Sequence, residues 1–600
     1  MKEKTEKRGG AGWCILLGLA ALVMFAVLEL GKYTLPGWVL TVILLSGFAA
    51  VRTRLLAGRP FLLRLGAWCA LFALFALILW LSRPPVKPVP AVAGKNGGVT
   101  GVVHVAQGDL TGVLTEDGQV EVYAGIPYAQ PPVGDLRWRE PRPAMPWEGV
   151  LRADHFAPMS MQSVNSPLFS SLAQIVGYHD YKISLADNYT EPVSEDSLYL
   201  NIWKPAGQAS ELPVLVYIHG GSLQTGQPWY GDYSGQGLAR DGVIVVNMGY
   251  RLGIFGFFAH PDLASESPNG TTGNYGLLDQ IMALQWVRDN IAAFGGDPDN
   301  VTLAGESAGS ACVTALCTSP LAKGLFRRVI CESSTVTAPE PAHSFRTLEE
   351  ACKAGKATLE RFGAGSVEDL RSVSALELAG EMTDHHHITV DGWVLPRTPY
   401  EACAMGIHNE EAILQGFNRQ EAGPFIIFSQ ADLKSFEGKV RSAFEEPYAS
   451  RILALYPVST DEEAREAWAD IYTAVLFAYG HRCLERQAVA SGIPTYMYHF
   501  TKQNGRLGAW HSGELVYFYG NVPDSPLYTG QDHALSETIR QYIVNFMKTG
   551  DPNGPGLVPW PAGTGDNMAL ELGDEVALRP VPYGRLYDIL DEMYGYSSGK

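Results

Sequence analysis

The sequence predicts an α/β fold, a mostly parallel twisted sheet with helices on both faces, preceded by about three transmembrane helices. Three observations carry that reading. Residues 212–219 (LPVLVYIH) and 243–250 (VIVVNMGY) are unbroken apolar runs, as expected of strands buried on both faces. Between them and around them, apolar residues recur at helical spacing, most clearly Leu278, Ile281, Leu284, Val287 and Ile291. Ahead of all this, the first 81 residues hold three apolar stretches of membrane-spanning length.

The stretches are 11–30, 33–51 and 61–81, with Glu29 and Arg64 as their only charges. About 20 apolar residues suffice to cross a hydrocarbon core as a helix. A cleaved signal peptide would explain the first stretch, but not two more directly after it. Lys2, Lys4, Lys7 and Arg8 precede the first stretch, and Arg52, Arg54 and Arg59 cluster between the second and third, with Arg64 near the start of the third. The excess of positive charge places both segments in the cytoplasm, so an odd number of spans sends the rest of the chain across. A membrane, multi-pass protein with its main domain on the non-cytoplasmic side is expected. Residues 82–98 (SRPPVKPVPAVAGKNGG) read as a stiff, then flexible, tether to a domain over 99–600.

Charge separates the two regions. The first 90 residues carry +8 and the remainder −26, within a total of −18 over 600 residues. Such an acidic domain makes nucleic acid an unlikely partner. The composition, 46% hydrophobic with 64 Gly and 38 Pro, excludes a disordered chain, a coiled coil and a collagen-like fibre. Eight Cys without paired metal-ligand spacing suggest neither a zinc site nor a disulfide scaffold.

Along the soluble region, 301–306 reads as a strand, 310–316 as a helix, and 328–332, 412–417 and 494–500 as further strands. The turn between 306 and 310 holds Gly305-Glu306-Ser307-Ala308-Gly309, the G-x-S-x-G pattern of a nucleophile elbow between strand and helix. A strand that turns at once into a helix crowds the backbone, which explains the glycines. The turn also exposes Ser307 where helix amides favour developing negative charge. Gly220 and Gly221, at the end of the strand 212–219, together with Ala308, offer unobstructed amides for an oxyanion. A simple turn would also account for the glycine pair.

The serine needs a base, and in this architecture the order Ser, acid, His leaves those histidines that follow Ser307. His385-His386-His387 cannot all face one ion from a strand, so no metal is expected there. His533 lies in a polar stretch and reads as solvent-facing. His511 sits in a glycine-flanked loop beyond a strand, and Glu421 follows the strand end 416–418. Spacing alone does not single out either residue from its competitors.

The longer motifs do. Residues 123–132 (YAGIPYAQPP), 195–203 (EDSLYLNIW), 216–221 (VYIHGG), 250–258 (YRLGIFGFF), 273–309, 416–421 (GFNRQE), 508–520 (GAWHSGELVYFYG) and 545–553 (NFMKTGDPN) occur in one order. In that series the chain resembles the type B carboxylesterases, the cholinesterase-like α/β-hydrolase family, over about 98–587. The resemblance implies an α/β-hydrolase fold and a serine carboxylesterase acting through an acyl-enzyme. It implies Ser307 as nucleophile, Glu421 as acid and His511 as base, with no cofactor and a small-molecule ester as substrate. Membrane lipid is the partner of the N-terminal helices. Alternatives from the same resemblance are an inactive adhesion or scaffold protein, and a lipase or feruloyl-type esterase using the same triad.

Two departures from the family pattern matter. A family disulfide has its second Cys where this chain has Ser197, and the partner region 159–162 (MSMQ) also lacks Cys. The loop this bridge would close contains Tyr178, Tyr181 and Tyr189 but no Trp, which disfavours choline esters. Cys312, Cys317, Cys331, Cys352, Cys403 and Cys483 are expected as buried free thiols, with a Cys352–Cys403 bridge left open.

Overall fold

The computed structural model describes residues 2–86, 89–92, 98–163, 171, 192–207, 210–339, 345–380, 384–503, 508–563 and 567–596, with side chains from residue 12 onward. Tyr178, Tyr181 and Tyr189 lie outside the described residues. The chain divides into two compact units, one holding the first three helices and the other the rest of the described fold.

In the N-terminal unit, α1 (Lys2–Leu30), α2 (Leu35–Arg54) and α3 (Phe61–Leu81) are each long and apolar enough to cross a membrane. Pro36 sits in the first turn of α2, where its missing amide costs no helical bond. The helices pack through Met24, Leu28, Phe48, Leu71, Phe75 and Ile78. Leu22, Leu62 and Trp80 face outward at 67%, 76% and 63% exposure, a surface that suits lipid and not water. Thr34, at the start of α2, donates its amide and hydroxyl to Ser82 O at 3.0 Å, so the α1–α2 turn meets the end of α3. At the other end of α2, the Arg52 guanidinium lies over the Trp13 ring of α1, 5.4 Å from its centroid.

The second unit is built on a sheet of eleven strands among the described residues. In chain order they are β1 (Val113–Leu114), β2 (Val120–Pro127), β3 (Tyr199–Pro205), β4 (Leu212–Ile218), β5 (Ile244–Met248), β6 (Gly296–Glu306), β7 (Arg328–Glu332), β8 (Ala412–Asn418), β9 (Thr495–Phe500), β10 (Met568–Leu572) and β11 (Val576–Pro580). Across the sheet they run β11-β10-β9-β8-β7-β6-β4-β5-β3-β2-β1. Every pairing from β10 to β5 is parallel, and antiparallel strands finish both edges.

Alternation along single strands explains the layers. Val214, Val216 and Ile218 of β4 point to a core shared with α4 (Tyr275–Asn290) and α5 (Ala308–Leu316). Leu215 and Tyr217 of the same strand point to a second core, under α6 (Gly530–Thr549). A strand sandwiched in this way shows no polar alternation: β4 is apolar throughout, and the single polar residue of β5, Asn247, donates its Nδ2 to Tyr233 O at 3.0 Å.

Among the described residues no Cys forms a disulfide, including the half-buried Cys352 and the buried Cys403. Ser197 and Met161 line a shared cavity of about 10 Å³, and among the described residues the buried Ser197 Oγ has no hydrogen-bond partner. The loop from β5 to α4 is held by one buried ion pair. Arg251 Nε and Nη2 donate to Asp279 at 2.8 and 2.7 Å, with side-chain exposures of 3% and 0%. Asp279→Ala would strand the guanidinium in the core, at a cost of about 3–5 kcal/mol. We expect a lower urea midpoint with an unchanged m value; a midpoint equal to that of the wild type would show that the pair contributes little.

Candidate active site

The chain passes from β6 to α5 through one residue. Ser307 takes φ +55° and ψ −125°, a region that side chains disfavour and that neighbouring contacts must hold in place. Its amide donates to Glu332 O of β7 at 2.9 Å, and its carbonyl accepts from Ala311 at 2.9 Å. There is no room for a larger residue on either side. A β-carbon at Gly309 would lie 2.0 Å from Ile218 O, and one at Gly305 would lie 2.5 Å from Gly309 C. The elbow is therefore clamped against the end of β4.

That clamp sets Gly220 beside the serine: a β-carbon there would come within 3.0 Å of Ser307 Cβ. Gly221 has φ +110°, and its β-carbon would collide with Thr225 O at 2.2 Å. Among the described residues, neither glycine amide donates to a protein acceptor. Ala308 opens α5, where the first amides have no helical acceptor. His219 stands behind the glycines, stacked on Tyr250 at 4.6 Å, and Tyr250 Oη donates to His219 O at 2.9 Å. Burial pushes the His219 imidazole down to about 4, so it is neutral at ordinary pH.

Glu421 and His511 come from the loops after β8 and β9. The two loops are laced together. Gln420 N donates to Ala509 O at 2.9 Å, Ala509 N donates to Gln420 Oε1 at 2.8 Å, and Asn418 Nδ2 donates to Trp510 O at 2.8 Å. This brings His511 Nδ1 to 2.6 Å from Glu421 Oε2, with Glu421 fully buried and His511 7% exposed. Glu421 Oε1 accepts from the Asn418 amide at 2.6 Å. Phe425 and Phe477 wall the imidazole, with centroids at 5.1 and 4.8 Å.

The structure thus joins Glu421 to His511 and Gly220 to Ser307. Among the described residues no hydrogen bond links Ser307 Oγ to His511. His511 Nε2 instead faces Glu306 Oε1 at 3.2 Å. His533, by contrast, is half-exposed and 3.8 Å from Asp524.

The carboxylesterase family model matches residues 99–580. Among curated proteins, the chain is 34% identical over 528 residues to liver carboxylesterase of Sus scrofa, covering 79% of this chain and 89% of that one. It is 32% identical over 515 residues to carboxylesterase 1C of Mus musculus, covering 79% and 89%. It is also 32% identical over 528 residues to fumonisin B1 esterase of Sphingopyxis macrogoltabida, covering 83% and 91%. The chain belongs to the carboxylesterase family. It is a serine hydrolase acting on carboxylic ester bonds, and its substrates are small-molecule esters.

The esterase surrounds His511 with more acid than the sequence singled out. Glu306 Oε1 also accepts from Ser512 Oγ at 2.6 Å. Glu514 accepts from Ser333 Oγ at 2.9 Å and from Asn418 Nδ2. Glu332 accepts from Tyr519 Oη at 3.2 Å. Glu306 and Glu514 were visible in the motifs, one residue before Ser307 and three after His511, but nothing in the spacing set them apart from solvated carboxylates.

Burial raises all of these carboxyls: Glu306 and Glu514 to about 7, Glu421 to about 8, and Glu332 well above the ordinary value. The folded esterase therefore holds protons that the unfolded chain loses near pH 4.5. The stability these carboxyls contribute must fall as pH rises from about 4.5 through about 7–8. His219, pushed down to about 4, and His481, pushed down to about 3, give the opposite slope only below about 6.5. Melting temperature measured from pH 6.5 to pH 8 should decline, and Glu306→Gln should make the decline shallower. An identical slope in the variant would remove Glu306 from the titrating set.

Proposed function

We propose that this esterase cleaves its substrate through Ser307, His511 and Glu421, with the amides of Gly220, Gly221 and Ala308 receiving the oxyanion. The observation that carries the reading is the buried 2.6 Å contact between His511 Nδ1 and Glu421 Oε2, set beside a strained serine elbow. Ser307 Oγ attacks the ester carbonyl and passes its proton to His511 Nε2, forming a tetrahedral intermediate. The same proton goes to the leaving alkoxide, which departs as the alcohol. Water then repeats the sequence on the acyl-enzyme, losing its proton to His511, and releases the acid with Ser307 restored.

Glu421 acts through the charge on its neighbour. A carboxyl with no exposure resists ionising alone, so it gains most when an imidazolium forms 2.6 Å away. The Ser307–His511 hydrogen bond is made as substrate fills the site, as is common for contacts that are loose in free enzymes. The strained turn at Ser307 sets the residue between β6 and α5, beside Gly220.

The apolar helices support an anchor in the membrane. With the α1–α2 turn beside the end of α3, and Arg52 beside α1 at the opposite end, the three helices run up, down and up. Lys2, Lys4, Lys7, Arg8 and the arginines Arg52, Arg54 and Arg59 then share the cytoplasmic side, and the esterase domain lies across the membrane from them.

Two experiments test this. Ser307→Ala or His511→Ala should lower turnover of p-nitrophenyl acetate by roughly 10⁴–10⁶-fold, and Glu421→Gln by less. Ser307→Ala retaining a tenth of the activity would overturn the assignment. For sidedness, protease added to intact cells or spheroplasts should release a fragment of about 500 residues. Protection of that fragment until the membrane is broken would reverse the topology and leave the chemistry untouched.

A further inference from the structure

The run His385-His386-His387 takes no part in ester cleavage, and the structure splits it. His385 turns inward: its Nε2 lies 2.8 Å from Thr358 Oγ1 and its ring meets Phe258 edge-on at 5.0 Å. His386 and His387 instead lie against each other, with ring centroids 4.3 Å apart. Asp384 completes the group, with His387 Nε2 3.0 Å from its Oδ1. One ligand atom from each of Asp384, His386 and His387 falls within 4.8 Å of the others. The expectation that three consecutive histidines cannot share an ion fits this geometry, since His385 is turned away. The conclusion that no metal binds there does not follow, because a carboxylate replaces the third imidazole.

The turn is fixed at both ends. Arg346 Nη1 donates to Asp384 O at 2.7 Å, and Ile388 pairs with Phe345 in a two-stranded ribbon. The Thr389 amide donates to Asn274 Oδ1 at 3.0 Å. His385, locked between Thr358 and Phe258, sets the direction of the next two residues. The group is therefore partly preorganised: its donors, within 4.8 Å of one another, have to close to the edge of a tetrahedral site, about 3.3 Å.

We propose that Asp384, His386 and His387 form a site for one divalent transition ion of the zinc, cobalt or nickel class, with water completing the coordination. Two imidazoles and one carboxylate suit that class, whereas calcium and magnesium prefer all-oxygen sets. The exposure of Asp384 leaves room for the water. Arg346 and Arg361 both lie near enough to His385 to disfavour its protonation. Their positive charge opposes the ion as well, and the Asp384 carboxylate offsets it. The site shares no ligand with the serine centre and does not depend on how that centre is assigned.

The test uses the untagged full-length esterase in detergent, stripped with chelator and titrated with Zn²⁺ and with Co²⁺. One equivalent should bind, Co²⁺ should give a visible ligand-field band, and Zn²⁺ should raise the melting temperature. His386→Ala and Asp384→Asn should each weaken binding by at least about tenfold and remove the thermal shift. His533→Ala should change neither. Turnover of p-nitrophenyl acetate should be the same in all variants, which separates loss of the site from loss of the fold. The absence of a stoichiometric equivalent in the wild type, or unchanged affinity in the His386→Ala, His387→Ala double variant, would overturn the proposal.

Discussion

The passage from β6 to α5 in a single residue is the constraint on which the rest of the catalytic unit depends. It forces Ser307 to a positive φ, and it brings the first turn of the helix so close to β4 that Gly309 sits on Ile218 O. A parallel sheet makes this possible, because β4, β6 and β7 end side by side and each supplies one wall. β4 leads into Gly220 and Gly221, β6 into the elbow after Glu306, and β7 ends in the carbonyl of Glu332 that holds the Ser307 amide. The two cores, with α4 and α5 on one face and α6 on the other, hold those strand ends in register. Strain at one residue persists because packing over the whole sheet opposes its release.

A second set of forces surrounds His511. Four buried carboxyls, from Glu306, Glu332, Glu421 and Glu514, lie in one polar layer, linked to Ser333, Asn418, Ser512 and Tyr519. Desolvation disfavours ionising them, and the hydrogen bonds satisfy their oxygens without placing several unpaired charges in the core. Aromatic rings from Phe425 and Phe477 exclude water from the imidazole on its other faces.

The two units differ in the solvent they suit. The first three helices bury Met24, Leu28, Phe48, Leu71, Phe75 and Ile78 among themselves and leave leucines and tryptophan outward. The acidic unit does the reverse, keeping its apolar strands inside and most of its charge outside, the Arg251–Asp279 pair and the carboxyls near His511 excepted. The split between +8 and −26 in the sequence reflects this difference, basic residues gathering at helix ends and acidic ones over a water-facing surface.

Features written in contiguous residues were legible from the sequence. The three apolar stretches, the unbroken strands β4 and β5, the α/β class and the elbow around Ser307 each arise from a local rule of length, period or crowding. The second helix begins two residues later than its apolar run because Pro36 must sit in a first turn. Glu421 and His511 stand 90 residues apart, and neither spacing nor periodicity distinguishes them from many other carboxylates and histidines. Only the parallel pairing of β8 with β9, and the lacing of the loops beyond them, brings the two to 2.6 Å. Glu306 and Glu514 show the same limit: their importance lies in burial and in what they face, and both are properties of the folded chain. The direction of His385, away from its two neighbours, was likewise decided by Thr358 and Phe258, which come from distant parts of the chain. Local sequence determines which backbone can form, whereas contacts between distant residues determine which side chains meet, because that requires the whole sheet to close.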